Sequence, residues 1–239
     1  QLLAPRLPIE TVAAGGGSVL ELQGERLRVG PRSAGAQPGP ACYRRGGPLT
    51  VTDCNVMLGK LQPDFFPNVF GPNQDAPLDA DVVREKFDAL ARDIHEATGD
   101  HRSPVKVADG YLKIAVENMA NAIKKISVQR GYDVTGYTLN CFGGAGGQHA
   151  CLVADALGMT KVLTHPFAGV LSAYGMGLAD IRALRERAVE TTLEDGAMAA
   201  LNTTLDELAG EATKELTRQG IADAQIEVLR RAHQGRAPD

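Results

Sequence analysis

The most distinctive chemistry-bearing stretch of the sequence is a glycine-rich block at residues 140–151, NCFGGAGGQHAC. An apolar run precedes the block and a helix-like pattern follows it, which places the block at the carboxyl end of a predicted strand. Glycine lets backbone amides approach a ligand, and a following helix N-terminus adds partial positive charge. The block therefore suits a ligand-binding loop, and a tight turn that serves only packing is the alternative.

The block matches neither of the two common phosphate-binding patterns. A Walker loop that starts at Gly143 needs glycine and lysine at positions 148 and 149, where this chain has Gln148 and His149. A dinucleotide fingerprint that starts at Gly144 needs glycine at position 149. The residues alone leave the ligand of such a loop open.

Several polar side chains fit either a catalytic or a structural role. Asp53 and Thr52 suit contact with a metal or substrate, but Asp is also a frequent helix N-cap, and Thr50 shares this ambiguity. His149 fits either a ligand contact or a partly buried structural histidine. Cys42 has no base near it in the sequence, which disfavours a nucleophilic role.

Two stretches rich in glycine and proline predict long loops. Residues 31–48 read PRSAGAQPGPACYRRGGP, and residues 62–77 hold four prolines with little periodicity. Loops of this length in a compact domain are commonly functional. Arg44 and Arg45 in the first loop either neutralise an anion or stay solvated.

Periodicity predicts the elements that position these residues. A strand at residues 9–14 is followed by a hairpin around Gly24, and a short helix begins at Thr52 or Asp53. A strand–helix–strand unit is expected to form a parallel pair with a right-handed crossover. That unit occupies residues 137–142, 148–158 and 161–165; further helices are expected at 81–98, 103–131, 168–180 and 197–219, and a last strand at 224–233.

The composition is that of an ordinary soluble domain, with 44 % hydrophobic and 23 % charged residues. A net charge of −4 argues against a nucleic-acid binder. The sequence holds no apolar run of about 18 residues, so no membrane span is expected. The first residues do not show the pattern of a signal peptide, so none is expected. The four cysteines form no CxxC pair, and a cytoplasmic protein with reduced thiols and no zinc site is expected.

Five stretches, in order along the chain, resemble the hydantoinase A / 5-oxoprolinase family. FGGAGGQHAC and PDFFPNVFGPNQDAPLD resemble the 5-oxoprolinase branch most. The hydantoinase and ketone carboxylase branches more usually carry Pro-Leu where this chain has Gly147 and Gln148. The five stretches are ETVAAGGGS at residues 10–18, the segment 29–61, VENMANAIKKISVQRGYD at 116–133, FGGAGGQHA at 142–150 and AGVLSAYGMGLAD at 168–180.

The resemblance implies an α/β fold with a mixed sheet and flanking helices, half of an actin-like or sugar-kinase-like (ribonuclease-H-like) ATPase core. Residues 1–181 would be the C-terminal portion of the ATPase domain, and residues 182–239 the beginning of the following region. The implied activity is an ATP-dependent amidohydrolase that opens the lactam of 5-oxo-L-proline to glutamate. ATP, Mg²⁺ and a monovalent cation such as K⁺ would be its cofactors, and a homo-oligomer is expected.

The resemblance also implies roles for the two glycine loops. The late loop would lie against the adenosine side of the nucleotide, through Gly143, Gly144, Ala145, Gly146, Gly147 and Gln148. The early loop, Gly15, Gly16, Gly17 and Ser18, would sit nearer the phosphates or the substrate, where its amides could form an anion nest. Asp53 and Thr52 would be the catalytic residues.

The family's early phosphate motif, an Asp followed by Gly-Gly-Thr, is absent from this sequence. The metal ligands are therefore unknown and are expected upstream of Gln1, in a missing N-terminal half of the core. Because the chain begins with Gln1, we expect a piece of a longer protein that is inactive alone. Two alternatives stay open: a hydantoinase or ketone carboxylase subunit of the same family, and a non-catalytic interaction module.

Overall fold

The computed structural model of the chain describes residues 12, 14–189, 192, 194 and 196–232. The chain divides into two compact units, Gln1–Ser172 and Ala173–Asp239. The strand predicted at residues 9–14 lies mostly outside the described residues. No helix in the described part of the chain is both long enough and apolar enough to cross a membrane.

The first unit begins with the predicted hairpin. Strands β1 (Ser18–Gln23) and β2 (Arg26–Ser33) pair antiparallel, with Leu22 opposite Leu27. Gly24 takes φ +59° in the turn between them, a conformation that favours glycine. The alternating apolar residues put one face of the hairpin into the core and confirm the sequence interpretation.

Helix α1 (Val51–Met57) begins earlier than predicted. Thr50, with extended backbone angles, is the N-cap, so the assignment of the cap to Thr52 or Asp53 is wrong. Asp53 is the third helical residue instead, and its carboxylate reaches back to the Thr50 amide at 2.8 Å, as in a capping box.

The two long helices of this unit form where the periodicity predicts them. Helix α2 (Ala80–Thr98) has Asp79 as its N-cap, which accepts from the Val82 amide at 3.0 Å. Helix α3 (Pro104–Val128) starts after Ser103, with proline at its first position. Their apolar faces meet α1 and the hairpin in one core, whose largest buried side chains include Phe87, Ile94, Val107, Tyr111 and Leu112.

The strand–helix–strand unit is also confirmed. Strands β3 (Thr138–Cys141) and β4 (Lys161–Thr164) are parallel, and helix α4 (Ala150–Leu157) connects them. A second core forms where Val116 and Ala120 of α3 pack on Val153 and Leu157 of α4. The second half of α3 thus supports the late glycine loop, which lies between β3 and α4.

The α/β class is confirmed, but a single mixed sheet is not found in the described residues. Their strands form two separate two-stranded sheets, one antiparallel and one parallel. Helix α3 contributes side chains to both cores, so a helix rather than a shared strand ladder joins the two sheets.

Helix α5 (Leu171–Leu178) spans the division between the units, and the second unit otherwise consists of helix α6 (Ala197–Arg218) and extended segments. It contains exposed ion pairs, including Arg187 to Glu207 at 2.6 Å and Arg230 to Asp206 at 2.6 Å. The strand predicted at 224–233 is wrong for residues 224–232, the part of it that the structure describes. A 3-10 turn at Asp223–Gln225 leads into residues without regular structure, because the described part of this unit offers no second strand to pair with.

Candidate functional site

The early glycine loop is fastened to the first turn of α1. The Gly16 carbonyl accepts hydrogen bonds from the amide of Thr52 at 2.9 Å and from its Oγ1 at 3.0 Å. A Cβ on Gly16 would lie 2.7 Å from Thr52 Oγ1, so only glycine fits this approach. The structure therefore brings together two sets of predicted site residues, the early loop and Thr52.

The carbonyls of this loop face the protein. Gly15 accepts from the Ser18 amide at 3.0 Å, and Gly17 accepts from the Ala34 amide at 2.8 Å. Among the described residues, the amides of Gly15, Gly16 and Gly17 have no hydrogen-bond acceptor. Successive amides without protein acceptors form an anion nest when the backbone directs them to one point. Ser18 itself is buried at the start of β1.

Asp53 is fully buried, and its carboxylate connects α1 to the preceding loop through hydrogen bonds. Its Oδ2 accepts from the Thr50 amide at 2.8 Å, from Thr50 Oγ1 at 2.9 Å and from the Ala41 amide at 3.1 Å. Its Oδ1 accepts from the Cys42 amide at 2.9 Å. Four donors thus fill most of the lone-pair sites of the carboxylate, and they fix the short turn Ala41–Tyr43 on the helix.

The two cysteines beside Asp53 are inert thiols. Cys42 and Cys54 are both 0 % exposed. Burial, followed by the negative charge of Asp53, raises the pKa of each thiol far above its usual range. Both thiols stay protonated at neutral pH, which agrees with the sequence argument against a Cys42 nucleophile.

Asn55, which the sequence interpretation missed, joins α1 to the late glycine loop. Its Nδ2 donates to Gln148 Oε1 at 2.6 Å and lies 3.3 Å from His149 Nε2. Since Nδ2 is a donor, His149 Nε2 acts as an acceptor and the ring proton resides on Nδ1. The sequence feature that could have identified Asn55 is a polar residue between the apolar residues Cys54 and Val56 of a short helix.

His149 is held as a neutral imidazole. Its side chain is only 5 % exposed. Burial, with a smaller contribution from the positive charge of Lys60, lowers the pKa of His149. This protonation state matches the acceptor role of Nε2 toward Asn55.

Two buried polar atoms at this junction have no partner among the described residues: the acceptor Asn55 Oδ1 and the donor His149 Nδ1. A buried polar group without a partner costs about 1–3 kcal/mol, so such groups usually mark a bound molecule or another part of the protein. Both atoms are shielded from solvent, and they leave one acceptor and one donor unused at this junction.

Most glycines of the late loop are exposed to solvent. Gly143 takes φ +93° and donates its amide to the Ala168 carbonyl at 2.8 Å. A Cβ on Gly143, Gly144 or Gly147 would meet no atom within 4 Å, whereas one on Gly146 would lie 3.0 Å from Cys141 Sγ. Packing and backbone conformation thus account for Gly143 and Gly146, whereas no contact within the described residues requires glycine at Gly144 or Gly147.

The described residues contain no group of three or more His, Cys, Asp or Glu side chains that could hold a metal ion. The site consists instead of two glycine loops that one short helix connects, through Thr52 to the early loop and through Asn55 to the late loop.

These features define an α/β protein in which two glycine-rich loops converge on the first turns of one buried helix. Residues 1–185 match the family model for hydantoinase/oxoprolinase proteins. The chain belongs to the hydantoinase/oxoprolinase family, which confirms the resemblance that the ordered motifs indicate.

The chain is 43 % identical over 229 residues to 5-oxoprolinase 1 of Arabidopsis thaliana, an alignment that covers 93 % of this chain and 18 % of the relative. Two solved structures share the fold. One is nucleotide-free acetone carboxylase, with a TM-score of 0.70 and 25 % identity over 89 % of this chain and 30 % of that one. The other is the ATP-dependent caprolactamase of Pseudomonas jessenii, with a TM-score of 0.59 and 34 % identity over 87 % of this chain and 30 % of that one. The chain spans less than a third of each of these three proteins.

Proposed function

We propose that this chain is part of an ATP-dependent cyclic amide hydrolase that opens 5-oxo-L-proline to glutamate. The observation that carries the proposal is the joining of both glycine loops by α1, through the Thr52–Gly16 and Asn55–Gln148 hydrogen bonds. The similarity to a plant 5-oxoprolinase supports the choice of substrate.

The late loop fits the adenosine side of a nucleotide. Its glycines 144 and 147 leave room for close approach, and the unpartnered Asn55 Oδ1 and His149 Nδ1 offer one acceptor and one donor. An adenine edge carries an amino donor and ring-nitrogen acceptors, which complement this pair. A neutral His149 suits contact with an uncharged base better than an imidazolium would.

The early loop is proposed to receive negative charge. The amides of Gly15, Gly16 and Gly17 are free of protein acceptors among the described residues, while their carbonyls are held by the first residue of β1, by α1 and by Ala34, which follows β2. Preorganised backbone donors of this kind stabilise charge that develops during phosphoryl transfer. Thr52 and Asp53 are proposed to act through the loops that they hold in place.

A five-membered lactam is a stable amide and a poor electrophile. ATP, when bound, supplies the phosphoryl group that activates the lactam oxygen, so that water can attack the ring carbon. The residues of this chain orient the two reactants and exclude competing geometries. We place the Mg²⁺ ligands in the part of the full-length protein that this chain does not include.

We further propose that residues 1–181 complete one half of an actin-like ATPase core and that residues 182–239 begin the next region. A chain that holds only half of the site is expected to hydrolyse nothing alone. Mixing the 239-residue chain with ATP, Mg²⁺ and 5-oxo-L-proline should then yield no glutamate.

The test of the function uses the full-length protein that contains this chain. With ATP and Mg²⁺ it should convert 5-oxo-L-proline to glutamate, with release of ADP and phosphate in step with glutamate. Parallel reactions with hydantoin, caprolactam, and acetone plus bicarbonate define the alternatives. If 5-oxo-L-proline is left unconsumed while one of the others reacts, the substrate assignment fails and the family assignment stands.

A ketone carboxylase is the second candidate, because the acetone carboxylase structure has the higher TM-score of the two structural relatives. Its sequence identity to this chain is the lower one, 25 % against 43 % for the plant 5-oxoprolinase. The late loop also carries Gly147 and Gln148, which resemble the oxoprolinase branch. These observations favour the lactam substrate.

A further inference from the structure

A cavity of about 690 Å³ lies where the two long loops predicted from the sequence meet. Its lining residues come from residues 31–48 and from residues 62–77; they are Gln37, Pro38, Arg44, Arg45, Pro72 and Gln74. It lies outside the set of residues that form the two glycine loops. Two guanidinium groups are its only charged lining among the described residues.

Both arginines are held in fixed orientations by backbone carbonyls. Arg44 donates from Nε to the Pro77 carbonyl at 2.7 Å, and its Nη1 pairs with Asp79 at 2.8 Å. Arg45 donates from Nε to the Gly71 carbonyl at 3.2 Å and from Nη1 to the Ala36 carbonyl at 3.3 Å. Each guanidinium keeps its Nη2 donors without a partner in the described part of the chain.

The charge of the cavity comes mainly from Arg45. Asp79 neutralises Arg44, whereas Arg45 has no carboxylate partner among the described residues. The cavity therefore holds about one uncompensated positive charge. This charge matches a monoanion such as a carboxylate better than a polyphosphate, which carries several negative charges.

The arginines are connected to the candidate site through Asp53. The Asp53 carboxylate holds the amides of Ala41 and Cys42, and the turn that these residues begin ends at Arg44, which takes φ +61°. The neighbouring Thr52 holds the early glycine loop. One helix thus positions both the proposed anion nest and the arginine cavity.

We propose that this cavity binds an oxoanion and that its occupant is the carboxylate of the cyclic amide substrate. The inference rests on the proposed function, in which 5-oxo-L-proline carries a carboxylate beside its lactam nitrogen. Arginine presents planar paired donors that suit a carboxylate. Cyclic amides without a carboxylate, such as hydantoin and caprolactam, have no group for this cavity, so Arg45 is a specificity-determining residue.

The test compares Arg45→Gln and Arg45→Lys with wild type in the full-length protein. Steady-state kinetics are measured with 5-oxo-L-proline and with its uncharged amide, 5-oxo-L-prolinamide, at saturating ATP and Mg²⁺. Arg45→Gln should raise KM for 5-oxo-L-proline by roughly 10- to 100-fold and leave KM for the amide within about twofold. Arg45→Lys keeps the charge but lacks the paired donors, so its KM for 5-oxo-L-proline should lie between those of wild type and Arg45→Gln. Arg84→Gln, which removes an exposed arginine on α2, is the control and should change neither KM.

The outcomes separate the two proposals. Suppose that wild type consumes 5-oxo-L-proline and that Arg45→Gln raises KM equally for the acid and for the amide. The arginine then has a structural role, so the carboxylate inference is overturned while the proposed function stands. If Arg45→Gln raises KM for ATP instead, the oxoanion in the cavity is a nucleotide phosphate and not the carboxylate of the substrate. If wild type leaves 5-oxo-L-proline untouched, the proposed function fails and this inference fails with it.

Discussion

The two glycine loops have similar compositions and opposite surroundings. In the early loop a Cβ on Gly16 would lie 2.7 Å from Thr52 Oγ1 and one on Gly17 would lie 3.1 Å from Ser33 Oγ. In the late loop a Cβ on Gly143, Gly144 or Gly147 would meet nothing within 4 Å. Contacts inside the protein thus require glycine at Gly16 and Gly17 of the early loop, whereas most glycines of the late loop face open space and only Gly146 lies close to another side chain.

This difference separates two uses of glycine that the sequence cannot distinguish. In the early loop the absence of a side chain lets the backbone approach α1 and fixes where the loop amides point. In the late loop it leaves the surface uncovered, where we propose that the nucleotide binds. Changes in the early loop and its anchors should therefore act mainly on stability, and changes in the late loop mainly on binding.

The largest effect is expected at Asp53, the anchor of α1 and its neighbouring loop. Asp53→Asn replaces one acceptor oxygen by a donor that faces protein donors, and we expect a loss of about 3 kcal/mol in the free energy of unfolding. Chemical denaturation of the 239-residue chain, followed by circular dichroism, measures this loss. Asp109→Asn, which removes a half-exposed carboxylate from the surface pair with Lys113, should cost less than about 0.5 kcal/mol.

A catalytic Asp53 would behave differently. In that case Asp53→Asn would leave the unfolding midpoint near that of wild type and abolish the activity of the full-length protein. Such a result would contradict the clamp role that the four hydrogen bonds assign to this carboxylate.

Gly16→Ala should give the next largest effect, because its Cβ overlaps Thr52 Oγ1. We expect a loss of about 1–3 kcal/mol in the free energy of unfolding, the usual range for an overpacked site. Gly15→Ala is the matched control, since a Cβ on Gly15 meets nothing within 4 Å. The double variant Gly16→Ala, Thr52→Ala removes the overlapping oxygen and should be less destabilised than the sum of the single changes. If the two changes in the free energy of unfolding were strictly additive, overlap with Thr52 Oγ1 would not be the cause of the destabilisation by Gly16→Ala.

The sequence predicted the elements whose signals are local. The turn at Gly24 and the apolar spacing of α2 and α3 lie within a few residues of the features they determine. The last strand failed because a strand needs a partner, which its own residues do not specify.

The candidate site was predicted less completely, for the same reason. Its loops were found from glycine content and from the family resemblance. The link between them was missed, because Asn55 and Gln148 are 93 residues apart and neither carries a signal that names the other. The role of Asp53 depends on the Ala41 and Cys42 amides, whose positions only the folded loop defines.

His149, at the late loop, is expected to make the stability of the protein depend on pH. Burial lowers its pKa below the ordinary value of 6.5, so the unfolded chain takes up a proton at a higher pH than the folded chain does. Its contribution to stability is fully present above pH 6.5 and is lost as the pH falls below that value. The unfolding midpoint of wild type should decrease from pH 7.5 to 5.5 more steeply than that of His149→Gln. Equal slopes would show that His149 is not held neutral at the late loop.

The smallest effect on stability, and the clearest separation of the loops, is expected at Gly144. Gly144→Ala adds a methyl group that meets no protein atom within 4 Å, so the free energy of unfolding should stay within about 0.5 kcal/mol of wild type. In the full-length protein the same methyl group should intrude on a nucleotide bound against the loop and raise KM for ATP about tenfold. Gly136→Ala, equally free of contacts and outside both glycine loops, is the control and should leave KM for ATP at the wild-type value. A destabilised Gly144→Ala with unchanged KM would place the late loop among packed turns and remove the distinction between the two loops.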